Sequence, residues 1–129
     1  MPRIPSAQPT EVELQILRIL WERGRLTARE IHNELAGDRD TNYSTTVKML
    51  SIMLDKNLVQ RDDTIRPQLF WSTVTQKRTQ QRMLKDLIQK VYDNSAGSLV
   101  LQALASQKAS PEELAEIRRA LDELERGKS

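Results

Sequence analysis

Apolar residues recur at three- and four-residue intervals near the start of the chain, which predicts a first amphipathic helix. Thr10 and Glu13 have the spacing of a capping box, so the helix begins there, and Gly24 ends it. The stripe that this helix buries consists of Leu14, Ile16, Leu17, Leu20 and Trp21. The first eight residues contain two prolines and no period, and we expect a loose arm there.

A second capping box, Thr27 with Glu30, opens a short helix 2. Ile31 and Leu35 are four residues apart, so both face inward. Between helices 1 and 2 the segment Arg25-Leu26 leaves room only for a minimal strand. The pattern therefore predicts two helices joined by a tight, partly extended connection.

A polar loop over residues 37–41 precedes helix 3, which starts at about Ser44. Its helical spacing runs through Met49, Leu50, Met53 and Leu54. The period then changes to two over residues 58–61 and 68–73, and the turn-like residues 62–67 between them predict a β-hairpin with a six-residue tip. Three short helices followed by a hairpin are the order of a winged helix-turn-helix.

The rest of the chain is helical again, over about residues 76–92, over 98–106 and after Ser110. Ser110 forms a capping box with Glu113, and Pro111 occupies the first helical position. These amphipathic helices lack a core of their own, and a second copy of the chain offers each stripe a matching one. The predicted dimerisation residues are Leu84, Leu87, Ile88, Val91, Leu99, Val100, Leu104, Leu114, Ile117, Leu121 and Leu124.

Together these elements predict a mostly α, α+β fold with a winged helix-turn-helix DNA-binding domain over residues 1–75 and a helical dimerisation domain over 76–129. The sequence contains no cysteine, which excludes a disulfide scaffold and a thiolate zinc site. It also lacks a signal peptide and an apolar run of about 18 residues, so we expect a cytoplasmic protein without a membrane segment. Basic and acidic residues are equal in number over residues 1–75, so a DNA-facing surface must arise from local placement of cations.

In a winged helix-turn-helix the second helix of the pair lies in the major groove. Here the outward residues of that helix are Ser44, Thr45, Lys48 and Ile52, with Val47 as a further candidate. Hydroxyls suit phosphates or bases, and Lys48 is long enough for a guanine or a phosphate. The predicted DNA contacts of this helix are Tyr43, Ser44, Thr45, Thr46 and Lys48. The alternative is that the Ser-Thr-Thr run only caps the helix, that Lys48 is a solvated charge and that Tyr43 is a hydrophobic staple.

Contacts to the DNA backbone are expected from five side chains outside that run. Thr27 and Arg29 lie at the start of helix 2, Lys56 at the end of helix 3, Arg61 on the first strand of the hairpin and Arg66 in the wing. A wing tip has few other uses for an arginine, so Arg66 is favoured among them.

Enzymatic function finds no support in the sequence. It has no glycine-rich phosphate loop, no metal-ligand pattern and no nucleophile paired with a base, so we expect no cofactor. The single histidine, His32, is interpreted as a surface residue of helix 2, and Met49 and Met53 as core filling.

Four segments resemble the BlaI/MecI/CopY penicillinase-repressor family of bacterial transcriptional regulators. They are PTEVELQILRILWERGRLTAREIHNEL, NYSTTVKMLSIMLDKNLVQRD, PQLFWSTV and SAGSLVLQALASQKASPEELAEIRRALDEL. The resemblance covers nearly the whole chain. It implies a homodimeric repressor on a palindromic operator, with the family's recognition-helix contacts falling on Ser44, Thr45 and Lys48.

Three departures limit what the resemblance implies. Ile52 stands where the family often has arginine, so the operator sequence does not carry over. A sensor protease triggers cleavage of some members at an Asn-Phe bond, and the matching pair here is Gln102-Ala103. The absence of cysteine excludes the cysteine cluster with which the copper branch binds metal.

The neutral charge of residues 1–75 leaves a winged-helix protein-interaction module open as the alternative function.

Overall fold

The structure is a computed structural model that describes residues 8–36 and 42–127. The helices are α1 (Glu11–Arg23), α2 (Ala28–Ala36), α3 (Tyr43–Asp55), α4 (Gln76–Val91), α5 (Ala96–Ser106) and α6 (Pro111–Gly127). The strands are β1 (Leu26–Thr27), β2 (Val59–Asp62) and β3 (Leu69–Ser72). The polar loop predicted at 37–41 and most of the predicted N-terminal arm lie outside the described residues. No helix within the described ranges is both long and apolar enough to cross a membrane.

The three strands form an antiparallel sheet in the order β1-β3-β2. Phe70 in the central strand pairs with Leu26 of β1 on one side and with Arg61 of β2 on the other. The short strand between α1 and α2 therefore forms one edge of the sheet, and the hairpin β2–β3 forms the centre and the other edge and makes the wing. The predicted winged helix-turn-helix is confirmed, with β1 displaced by one residue from its predicted position.

One apolar core holds α1, α2, α3 and the sheet together. Its members are Ile16, Leu17, Leu20, Leu26, Ile31, Leu35, Leu50, Met53, Leu58, Val59 and Phe70. At its edge the Trp21 indole N–H donates to Ser72 Oγ at 3.1 Å and to the Val74 carbonyl at 2.9 Å, so α1 is tied to the end of β3. Met53 is fully buried and Met49 packs against the core, which confirms that this pair fills space.

Reciprocal capping boxes begin the helices where the sequence predicts them. The Glu13 carboxylate accepts from the Thr10 backbone N–H at 2.9 Å, and the Ser110 hydroxyl accepts from the Glu113 N–H at 3.0 Å. Gly24 ends α1 with a φ of 83°, a conformation that costs glycine little because it has no Cβ. Local sequence alone therefore determines where α1 and α6 begin and where α1 ends.

The chain divides into two compact units, residues 1–84 and 85–129, so the division falls inside α4. We call residues 8–84, as far as they are described, the winged unit. The domain boundary predicted at residue 75 coincides with the start of α4 and stays a prediction.

The second unit exposes most of its apolar side chains. No described residue of α5 or α6 is buried. Side chains in the predicted dimerisation set are exposed at Leu84, Leu87, Val91, Val100, Leu104, Leu121 and Leu124, and half-buried at Ile88, Leu99, Leu114 and Ile117. Leu101 is exposed to 71% and was missing from that set, although it lies three residues before Leu104 on the same helix.

Candidate nucleic-acid interface

Asn42 begins α3 and fixes the orientation of the first side chains of the helix. Its Oδ1 accepts from the Thr45 backbone N–H at 2.9 Å, from the Ser44 hydroxyl at 2.9 Å and from the Thr45 hydroxyl at 2.8 Å. Both hydroxyls therefore use their one donor on Asn42 and keep their lone pairs for accepting. They are suited to the exocyclic amines of adenine and cytosine, which donate in the major groove.

The exposed face of α3 is rich in hydroxyls and carries one cation. Its exposed residues are Ser44, Thr45, Val47, Lys48, Ser51, Ile52 and Asp55. Lys48 forms no ion pair with any described residue, and the acid of this face, Asp55, lies at the last position of the helix. Ser51 was absent from the predicted set, although its spacing of seven residues from Ser44 places both on one face.

Thr46 departs from the prediction that it contacts DNA. Its side chain is 1% exposed, and its hydroxyl lies 2.8 Å from Nδ1 of His32 on α2. The position four residues before Leu50 turns Thr46 toward the core, where a partner for its hydroxyl is required. Thr46 and His32 therefore join the two helices of the helix-turn-helix, and His32 is half-buried and not simply a surface residue.

Tyr43 is held between side chains of α2. The His32 ring meets it edge-on at 5.6 Å between centroids, and the Arg29 guanidinium lies 3.8 Å from the Tyr43 ring centroid. A guanidinium stacked in this way keeps its N–H groups free at the rim to donate to a phosphate. The stack thus gives Arg29 a fixed position beside the start of α3.

Lys56 is half-buried and is held in an ion pair with a buried carboxylate, which removes it from the predicted set of phosphate contacts. Its Nζ lies 2.7 Å from Glu13 Oε1 and 3.3 Å from the Gln8 carbonyl oxygen, and its side chain is 12% exposed. Glu13 itself is 2% exposed. The ammonium therefore joins the end of α3 to the start of α1 and is directed at protein.

Arg61, on β2 of the wing, forms an exposed ion pair with Asp63 at 3.0 Å. An ion pair of that exposure is weak, so Arg61 can exchange Asp63 for a phosphate at little cost. Arg66 is exposed in the turn between the strands and forms no ion pair with any described residue. Arg25 was absent from the predicted set, and its guanidinium carbon lies 4.0 Å from the Trp71 ring centroid.

Asp62 begins the wing turn, and its carboxylate is held by hydrogen bonds within that turn. The Thr64 hydroxyl and backbone N–H both donate to its carboxylate, and these hydrogen bonds hold the pKa of Asp62 below its ordinary value. A carboxyl with a lowered pKa stabilises the fold above its unfolded-state pKa, and this contribution is lost as the pH falls through the folded pKa.

We expect Thr64→Val to raise the pKa of Asp62 toward its ordinary value in a carboxyl ¹³C NMR titration. Thr73→Val is the control, because the Thr73 hydroxyl donates to the Asn57 carbonyl and not to Asp62. It should leave the pKa of Asp62 unchanged. Equal pKa values of Asp62 in the two variants would contradict the assignment.

An open groove brings several predicted residues together. Its lining comes from the start of α2, one side of α3 and the wing: Thr27, Ala28, Arg29, Tyr43, Val47, Leu50, Ser51, Leu54, Arg61, Pro67, Gln68 and Phe70. Thr27, Arg29, Tyr43 and Arg61 of the predicted contacts meet here. The Thr27 hydroxyl also accepts from the Glu30 N–H at 3.1 Å, while the Thr27 N–H holds the pKa of Glu30 below its ordinary value. Two guanidinium groups on the rim of one groove beside α3 favour a polyanion.

Comparison with known proteins finds similarity over most of the chain to bacterial regulatory proteins. The model of the penicillinase repressor family matches residues 9–123. The methicillin resistance regulatory protein MecI of Mammaliicoccus sciuri is 24% identical over 113 residues, which are 88% of this chain and 92% of that protein. The penicillinase repressor of Bacillus licheniformis is 21% identical over 123 residues, 95% and 94% of the two chains. A MarR family transcriptional regulator from Silicibacter pomeroyi aligns in structure over 92% of this chain and 70% of its own, with 20% identity and a TM-score of 0.44.

Proposed function

The chain belongs to the penicillinase repressor family, and on that premise we propose that it represses transcription as a homodimer on a palindromic operator. Membership of this family makes the chain a DNA-binding transcriptional regulator of the BlaI/MecI type. The observation that carries the proposal is the exposed face of α3, where Lys48 lies among accepting hydroxyls next to a groove lined by Arg29 and Arg61. Bacterial DNA is cytoplasmic, so the proposal includes action in the cytoplasm.

In this proposal α3 lies in the major groove. Thr45 and Lys48 contact base edges, Ser44 contacts a base or a phosphate, and Arg29 and Arg61 contact phosphates on either side of the helix. Arg66 in the wing reaches the adjoining backbone or minor groove. Together these cations make binding steeply dependent on salt.

Dimerisation is supported by the exposed apolar faces of α4, α5 and α6. A leucine such as Leu124, exposed to 66%, gains about 2 kcal/mol when it is buried against a partner. Two linked winged units then bind two half-sites far more tightly than one unit binds either. Half-sites on one face of the duplex should be centred about 10 bp, or a multiple of that, apart.

Release by cleavage is not part of the proposal. Gln102 and Ala103 are exposed residues within α5, and they differ from the Asn-Phe pair at which some family members are cleaved. No sensor protease is therefore assigned as a partner.

The test is a mobility-shift titration on the DNA upstream of the protein's own coding region, at low salt and at roughly 200 mM salt. The double variant Thr45→Ala/Lys48→Ala should lose at least about 30-fold in affinity per half-site, because it removes two base contacts and each is worth about 1–3 kcal/mol. The control, Lys108→Ala, removes the same charge from the connection between α5 and α6 and should bind like the wild type. Binding that ignores sequence and both α3 residues would contradict the proposal and favour a protein-interaction module.

A further inference from the structure

Large apolar side chains are exposed at few places on the winged unit. Among its described residues they are Val47, Ile52, Ile65 and Leu84. Val47 and Ile52 lie on α3, exposed to 42% and 39%, and Ile65 lies in the turn of the wing. Three of these four positions therefore fall on the elements that are proposed to face DNA, while Leu84 lies at the end of the unit.

Lys48 lies between the two apolar residues of α3 on the helix surface. Val47 precedes it by one residue, about 100° around the helix axis, and Ile52 follows it by four residues, about 40° around the axis on the other side. Ser44 and Ser51 complete the strip beside Val47, and Thr45 adjoins Ile52. The face therefore presents one cation, with Ile52 next to it on one side and with two serines and then Val47 on the other.

The chemistry of this face fits the floor of the major groove. Among the base edges displayed there, the C5-methyl group of thymine is the apolar element, and apolar side chains contact it. Val47 lines the same groove as Arg29 and Arg61. Two guanidinium groups beside this apolar residue favour a polyanion as the partner over an apolar protein surface. β-Branched side chains also have few rotamers, so little freedom is lost on contact.

We propose that Val47 and Ile52 read the C5-methyl groups of thymines in the operator, on either side of the base that Lys48 contacts. This inference rests on the proposed function, because it names the bases that the same helix selects. It makes Val47 and Ile52 specificity-determining residues.

The experiment uses the duplex that the full-length wild-type protein selects from a randomised pool, prepared once with thymine and once with deoxyuridine in its place. Uracil lacks the methyl group and keeps the hydrogen-bonding pattern of thymine. The wild type should bind the thymine duplex about fourfold more tightly for each methyl that it contacts. Val47→Ala and Ile52→Ala should each lower the preference for the thymine duplex over the uracil duplex by the factor that its own methyl contact supplies. Alanine at exposed helical positions leaves α3 intact.

Ile65→Ala is the matched control. It removes an equally exposed apolar side chain from the wing, which reaches the backbone or the minor groove, where thymine displays no methyl group. The Ile65→Ala protein should therefore keep the wild-type preference for the thymine duplex over the uracil duplex, even if its affinity for both duplexes changes.

Two results would overturn the inference, and they are distinguishable. In the first, the protein selects a duplex but binds its thymine and uracil forms equally, or both α3 alanine variants keep the wild-type preference for thymine. The proposed methyl contacts are then absent, and operator binding stands. If the protein selects no duplex at all, the proposed function fails as well, and the apolar face of α3 belongs to a protein partner.

Discussion

Lys56→Met will lower the free energy of unfolding of the winged unit by about 3–5 kcal/mol, because it leaves the Glu13 carboxylate buried without its counter-charge. Glu13 is 2% exposed, so water cannot replace the lost ammonium at the 2.7 Å contact. A loss of this size lowers the melting temperature by more than about 10 °C. Urea unfolding followed by tryptophan fluorescence measures it in the full-length protein, since Trp21 and Trp71 both report on the winged unit.

Two further variants separate the buried charge from other effects of the substitution. Arg23→Met breaks the ion pair with Glu34, in which both side chains are about half exposed, and should cost no more than about 1 kcal/mol. Glu13→Gln/Lys56→Met removes both charges and keeps an acceptor for the Thr10 N–H, so it should recover most of the lost stability. A Lys56→Met protein as stable as the Arg23→Met protein would refute the structural role of this pair.

Leu121→Glu/Leu124→Glu will convert the proposed dimer to a monomer and lower operator affinity by about 10²- to 10⁴-fold. Both side chains are largely exposed on α6, so the substitution costs the single chain little and places two carboxylates in the proposed interface. Without the partner, each winged unit must bind its half-site alone, and the advantage of linked binding is lost. Analytical ultracentrifugation and a mobility-shift titration of the same preparation measure the two effects.

Arg119→Glu is the control for the added negative charge. Arg119 is exposed on α6, five residues from Leu114 and two from Leu121, so it lies on the opposite side of the helix from the apolar stripe. Its substitution changes the net charge by the same amount, because one basic residue becomes acidic instead of two neutral ones. It should leave the protein dimeric with nearly wild-type affinity. A double leucine variant that remains a dimer would show that α6 is not part of the interface.

The starts of the helices with capping boxes and the position of the wing were predictable because their signals are local. A hydroxyl three residues before a glutamate satisfies backbone N–H groups at a helix start, so Thr10, Thr27 and Ser110 mark helices wherever the chain folds. The change from helical to alternating spacing after α3 likewise predicts the hairpin. The exposed set of α3 followed from the same periodicity, which places Ser44, Thr45 and Lys48 opposite the buried Leu50 and Met53.

The sequence by itself thus determined the order of elements and the outward face of α3, since both follow from the spacing of residues within single elements. Tertiary structure alone decided the roles of Thr46 and Lys56, both of which had been expected at the DNA. Thr46 bonds to His32, 14 residues away, and Lys56 to Glu13, 43 residues away. Residue type suggests exposure for a threonine or a lysine, but burial becomes favourable where a distant partner satisfies the polar group, and only the packing of α1 and α2 against α3 supplies those partners.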